Sequence, residues 1–167
     1  WSNLPAKQAS ISAWLFGLGL QCSGVSWIYY SVHVHGSAPA FFDIILVFLL
    51  CCYLSLYTGL AIFIVNRYLP NNTLLRLMLF YPAAWVVFGW LQGYVMTCFA
   101  WMQLGYSQID MPLSGLAPLF GNHAISGLIA VCAGALALLL KQRNDLKIKK
   151  IVIVALPVII LWLAGVL

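Results

Sequence analysis

Residues 42–65, FDIILVFLLCCYLSLYTGLAIFIV, decide how this chain must be read. The run carries one charge, Asp43, at its start, where a carboxylate favours a helix N-terminus through the macrodipole. At 1.5 Å per residue a helix of this length reaches roughly 36 Å, enough to cross a hydrocarbon core of about 30 Å. Apolar side chains all round such a helix suit lipid, not water. The hydroxyls of Tyr53, Ser55, Tyr57 and Thr58 fall in mid-span and are expected to bond neighbouring helices or backbone carbonyls.

The rest of the chain has the same character. Of its 167 residues, 64% are hydrophobic and only 7% charged, against roughly half and a quarter in ordinary soluble domains. Before the central run, residues 11–32 form a second apolar stretch, with Gly17, Gly19, Ser23 and Gly24 small enough for another helix to come close. Trp27, Tyr29 and Tyr30 near its far end suit the headgroup layer. Residues 74–96, 123–140 and 151–167 complete the pattern. Pro82 is expected to kink the third run, and Gln92 to face protein or a wet cleft. The expected fold is an all-α, polytopic membrane helix bundle of about five transmembrane helices in one domain over residues 1–167.

The longest break is residues 99–119, FAWMQLGYSQIDMPLSGLAPL, a loop or short interfacial helix without Lys or Arg. Its aromatic rings fit an anchor at the membrane surface, and Trp101, Tyr106, Gln108 and Asp110 fit equally a contact surface for substrate or partner. Residues 33–40, HVHGSAPA, form the other far-side loop, in which His33 and His35 read as exposed loop histidines. HxH supplies only two ligands, so no metal is expected, and no cofactor. The cysteines are Cys22, Cys51, Cys52, Cys98 and Cys132. Four lie in apolar runs, none forms a CxxC, and the odd count opposes a full disulfide framework, which leaves them as small buried hydrophobes. Trp1 stands where an initiator methionine would, so the sequence reads as processed or as a piece of a longer protein.

The net charge of +5 reports topology and not nucleic-acid binding. Lys7, Arg67, Arg76, Lys141, Arg143, Lys147, Lys149 and Lys150 all fall on one side of a five-span arrangement. The positive-inside rule makes that side cytoplasmic and places both far-side loops, with Leu167, outside.

Several segments resemble the membrane domain of bacterial apolipoprotein N-acyltransferases. They are GLGLQCSGVSWIYYSV (17–32), YLSLYTGLA (53–61), the region from Trp85 to Trp101 and, most distinctively, LGYSQIDMPLSGLAPLFG (104–121). The resemblance runs through nearly the whole chain, in order. It implies a multi-pass protein of the bacterial inner membrane, with this chain as the third to seventh of eight spans. It also implies a periplasmic nitrilase-like domain, elsewhere, whose Glu-Lys-Cys triad moves an acyl chain from phospholipid to the N-terminal cysteine of a diacylated lipoprotein. Three departures stand out. Gly89 and Gln92 replace the family's Glu and Arg, and Cys98-Phe99-Ala100-Trp101 replaces its Gly-Phe-Pro-Trp. The chain contains no Glu, so the triad cannot be assembled from it and no catalytic residue is assigned.

Two functions follow as expectations. The first is the membrane portion of such an acyltransferase, which would anchor the catalytic domain and admit phospholipid and lipoprotein at a site including Trp27, Tyr30 and the 99–119 loop. The second is a non-catalytic, acyltransferase-like membrane subunit that binds a partner protein or lipid, favoured by Gly89, Gln92 and Ala100. A small transporter has no support from intramembrane charge pairs or repeats.

The one-sided distribution of Lys and Arg yields a direct test. In a background without native cysteines, single cysteines at positions 37 and 145 should label from opposite sides of the membrane with an impermeant maleimide. Labelling of both from one side would overturn the topology.

Overall fold

The structure, a computed structural model, describes residues 1–36, 39–95, 99 and 101–141. Helices dominate, and no strand occurs among the described residues. They are α1 (Ala6–Val25), α2 (Trp27–Gly36), α3 (Ala40–Tyr68), α4 (Thr73–Tyr94) and α5 (Ala117–Lys141), with two 3-10 turns, Leu104–Gln108 and Pro112–Leu116, before α5. Among the described residues three helical stretches are long and apolar enough to cross a membrane, and α1 with α2 passes the same test as one bent pair. The chain is therefore an all-α membrane protein. The expected fifth span, 151–167, lies outside the described residues. Contacts divide the chain into two compact units, Asn3–Arg67 with Trp1, and Tyr68–Leu167 with Ser2.

In the first unit α1 buries Ala9, Ala13, Gly17, Gln21 and Val25, one residue per turn. This row packs on α3, where Val47, Cys51, Leu54, Ser55, Gly59 and Ile62 are buried. Glycine makes the approach possible: a Cβ on Gly17 would lie 3.1 Å from Thr58 Oγ1, and one on Gly59 3.1 Å from Trp14 Cβ. Three donors in and beside the seam are paired. The Trp14 indole donates to the Cys52 carbonyl (3.2 Å), Ser10 Oγ to the Gly59 carbonyl (2.9 Å) and Ser55 Oγ to the Cys51 carbonyl (2.6 Å). In hydrocarbon each would otherwise be an unsatisfied donor.

The first expected span is not one straight helix. Between α1 and α2 the chain bends by 54° at Ser26. Two hydroxyls act there: Ser23 Oγ donates to the Leu20 carbonyl (2.9 Å) and Ser26 Oγ to the Ser23 carbonyl (3.3 Å). Such back-bonding competes with the amide ladder and bends helices. The expected loop at 33–40 is also shorter than read from sequence, because α2 carries His33 through Gly36 and α3 starts at Ala40.

In the second unit Asn72 caps α4, its Oδ1 accepting from the amides of Leu74 (3.0 Å) and Leu75 (3.3 Å). Arg76 is buried. Its Nε donates to the Pro70 carbonyl (3.1 Å) and its Nη2 to the Leu69 carbonyl (3.2 Å), closing the turn after α3. Pro82, expected to kink the third run, follows a local change of helix register. The helix widens to a π turn over Arg76–Phe80, where the Tyr81 amide donates to the Arg76 carbonyl five residues back. In that register the next donor, to Leu77, would be Pro82, which has no N–H. Gly134 of α5 lies against this Leu77 carbonyl: a Cβ at 134 would collide with it. Around this contact Leu77, Met78 and Leu139 pack on Ala135 and Leu138. Helix α5 is interrupted once, at Gly121 (φ 74°), a left-handed conformation that suits glycine, so its regular part begins at residue 122.

A methyl group at 134 would meet backbone, which cannot swing aside, whereas a Cβ at Gly89 meets nothing within 4 Å. Gly134→Ala should therefore destabilise the second unit by about 1–3 kcal/mol, the usual cost of overpacking. Gly89→Ala should be near neutral. Unfolding of both variants in mixed detergent, followed by tryptophan fluorescence, checks the difference.

Candidate functional site

The sequence-selected residues fall in both units. Trp101, Tyr106, Gln108 and Asp110 lie together on the loop of the second unit, while Trp27 and Tyr30 lie on α2 of the first.

The loop is built from its inner side. Met102 takes a positive φ of 63°, rare for a side chain with a Cβ, and turns the chain after Trp101. Two polar contacts fasten the loop to the start of α5, and a third, within α5, orients the hydroxyl that makes one of them. Asn122 Nδ2 donates to Gln103 Oε1, the Gly105 amide donates to Ser126 Oγ (2.8 Å), and Ser126 Oγ donates to the Asn122 carbonyl (3.0 Å). Gly105 is buried with the Asn122 amide where a Cβ would be, so only glycine fits at 105. Leu113, in the second 3-10 turn, is buried as an apolar anchor. Between these fixed points the tip shows apolar and acidic groups outward. Trp101 is 60% exposed and Ile109 68%, and Tyr106, Asp110 and Met111 are exposed as well. Gln108 is half-buried. Its Nε2 donates to Ser107 Oγ (3.1 Å), which itself donates to the Leu104 carbonyl (2.8 Å), so its amide partly supports the loop.

In the first unit Trp27 and Tyr30 are exposed, and α2 buries no residue. The elbow between α1 and α2 encloses, with α3, a cleft of about 310 Å³ lined by Cys22, Ser26, Tyr29, Ile44, Val47, Phe48 and Cys51. Tyr29, not its neighbours Trp27 and Tyr30, forms its wall. Tyr29 also stacks on His33 (centroids 5.5 Å apart, 7° between planes). His33 Nδ1 donates to Asp43 Oδ2 at 2.9 Å, and this carboxylate is 2% exposed. His33 is thus a helix residue held by a buried acid, not a loop histidine. A neutral imidazole oriented this way keeps Nε2 as an acceptor. Among the described residues no three His, Cys, Asp or Glu side chains form a metal-binding group. Gln21 is buried one turn before Val25, and its Oε1 lacks a hydrogen-bond partner among the described residues.

Sequence reading missed Asn122 and Ser126 as loop clamps and the His33–Asp43 pair. An Asp in an apolar run was the available signal, since a buried carboxylate needs a partner.

Comparison with known proteins covers this architecture. The profile of the apolipoprotein N-acyltransferase N-terminal domain matches residues 2–135, which include every clamp residue of the loop. The apolipoprotein N-acyltransferase of Vibrio cholerae is 41% identical over 139 residues, 83% of this chain and 28% of that protein. That of Vibrio parahaemolyticus is 39% identical over 136 residues, 81% of this chain and 27% of its own length. That of Chromobacterium violaceum is 43% identical over 161 residues, 96% of this chain and 30% of the relative. The chain thus spans less than a third of the length of these relatives.

The clamp has a measurable consequence. Ser126→Ala leaves the buried Gly105 amide without its acceptor, which costs about 1–3 kcal/mol. Hydrogen exchange at residues 103–113 should accelerate in this variant, while exchange in α3 stays as it was. Unchanged exchange in the loop would mean that the contact does not hold it.

Proposed function

This chain belongs to the apolipoprotein N-acyltransferase family, and we propose that it serves as membrane portion of such an enzyme, anchoring the catalytic domain and admitting acyl chains to it. The observation that carries the reading is the pinned loop. Its inner side is fixed to α5, and its outer side offers Trp101, Tyr106, Ile109 and Met111 around one carboxylate. Rings of this kind give large apolar contact area with a polar edge, which suits an acyl chain and the headgroup above it. Gln108 and Asp110 add hydrogen-bonding groups beside them.

The cleft at the α1–α2 elbow supports the same reading from the other unit, because its lining is largely apolar and Ser26 and Tyr29 add polar edges. Trp27 and Tyr30 then act as interfacial contacts. With Lys and Arg on the opposite side, the loop and the α2–α3 connection face the periplasm across the inner membrane. Phospholipid as donor and a diacylated lipoprotein as acceptor are the implied substrates. The acyl transfer needs an activated thiolate, and the family's Glu-Lys-Cys triad must come from outside these residues, which contain no Glu.

A second reading, a non-catalytic subunit that binds a partner, rests on a specific observation. The resemblance puts a family Glu at Gly89, and a Cβ there would meet nothing within 4 Å among the described residues.

The contact role is tested by Trp101→Ala, Tyr106→Ala and Gln108→Ala combined. The folded triple variant should co-purify with several-fold less phospholipid or lipoprotein than the parent. Parental levels of both would make the loop an interfacial anchor only.

A further inference from the structure

Asp43 is the only carboxylate in the first unit, and it is buried in the first turn of α3. Two groups stabilise its charge: the N-terminal end of α3, whose dipole favours an anion, and the Nδ1–H of His33. Donation through Nδ1 leaves Nε2 of the neutral ring as an acceptor. The His33 side chain is 47% exposed, and no other hydrogen bond engages it among the described residues. The pair therefore holds one buried negative charge and presents it outward through one imidazole nitrogen.

The surrounding sequence decides which charge this nitrogen suits. Between Lys7 and Arg67 the chain has no Lys or Arg. Those two stand at the start of α1 and the end of α3, the helix ends remote from Asp43. An anion brought to His33 would meet a carboxylate with no cationic side chain of this unit to offset it. A cation with an N–H would meet an acceptor backed by negative charge.

Beside the pair runs the cleft of the elbow. Tyr29, which stacks on His33, forms part of its wall, and Ile44, the next residue after Asp43, forms another. On α3 the lining continues through Phe48 to Cys51, seven residues beyond Ile44, or roughly 10 Å at 1.5 Å per residue. One leaflet of the hydrocarbon is about 15 Å deep. The cleft thus follows most of a leaflet, with an apolar trough below and a polar group at its rim. An occupant that satisfies both has an acyl tail and a cationic head.

We propose that the His33–Asp43 pair selects the headgroup of a phospholipid carrying a primary ammonium, an ethanolamine lipid, whose acyl chain lies in the elbow cleft. The ammonium donates to His33 Nε2. Asp43 is a positioning residue that acts through His33, fixing its tautomer and supplying the charge. A choline headgroup has the charge but no N–H, and a glycerol headgroup has donors but no positive charge, so both fit less well. The proposal rests on the membrane-portion reading for the presence of lipid at this face, and adds to it which phospholipid is admitted.

The test uses the full chain in vesicles of equal parts phosphatidylethanolamine, phosphatidylcholine and phosphatidylglycerol with identical acyl chains. One lipid at a time carries a photoreactive diazirine at mid-chain, and adducts are mapped by mass spectrometry. The ethanolamine lipid should label the peptides containing Tyr29 and Phe48 at least threefold more than either of the others. Asp43→Asn, which keeps the shape and removes the charge, should bring the three lipids to near parity. If that variant does not fold, the comparison of lipids in the parent chain decides alone. Parity in the parent chain, or a preference that Asp43→Asn leaves unchanged, overturns headgroup selection. Displacement of the label by a diacylglyceryl-cysteine peptide with a free α-amine, but not by its N-acetylated form, would assign the site to the lipoprotein and overturn the lipid assignment. The loop variant that tests the membrane-portion reading is read out separately, so either can fail without the other.

Discussion

A hydrocarbon interior supplies no hydrogen bonds, and that single shortage organises both units. A polar group placed there has to look to protein for its partner, and nearly all of them find one, the Gln21 side-chain carbonyl oxygen being the exception among the described residues. The Trp14 indole reaches the Cys52 carbonyl, and Ser10 and Ser55 reach carbonyls of α3. Asp43 is buried only because His33 donates to it. In the second unit the same rule works in reverse. Pro82 withdraws a donor, the helix responds with a π turn, and Gly134 brings α5 close enough to shield the carbonyl left beside it.

Close approach is the second theme, and it follows from the first. Lipid tails are as apolar as leucine, so helices gain little from merely hiding apolar surface from each other. They gain from contact density and from short polar links, both of which need small residues at the seam. Gly17, Gly59 and Gly134 provide that access at three different places. Gly105 applies the same principle outside the spans, where the Asn122 side chain occupies the room a Cβ would take.

The sequence made the spans legible because length and apolarity are summed over twenty or more residues. Helices α3, α4 and α5 contain or nearly contain the runs at 42–65, 74–96 and 123–140. The bend at Ser26 was not legible, because a serine that bonds back to its own helix looks the same in sequence as one that faces another helix. Pro82 announced a disturbance but not its kind. The family resemblance pointed at residues 104–121, and the structure shows why that stretch is tightly specified: Gln103, Gly105, Asn122 and Ser126 meet across a gap of about twenty residues that no periodicity spans. The His33–Asp43 pair was hidden by reading His33 into a loop.

The loop's fasteners are all on its inner side, at Gln103, Gly105 and Leu113, and its tip between residues 106 and 111 carries none of the links to α5. Gly121 then separates the loop from the regular part of the span by one glycine-only turn. The bundle thus does not depend on the identity of the tip residues, so whatever holds YSQIDM to its sequence is what the tip touches, and the frame's part is to aim it.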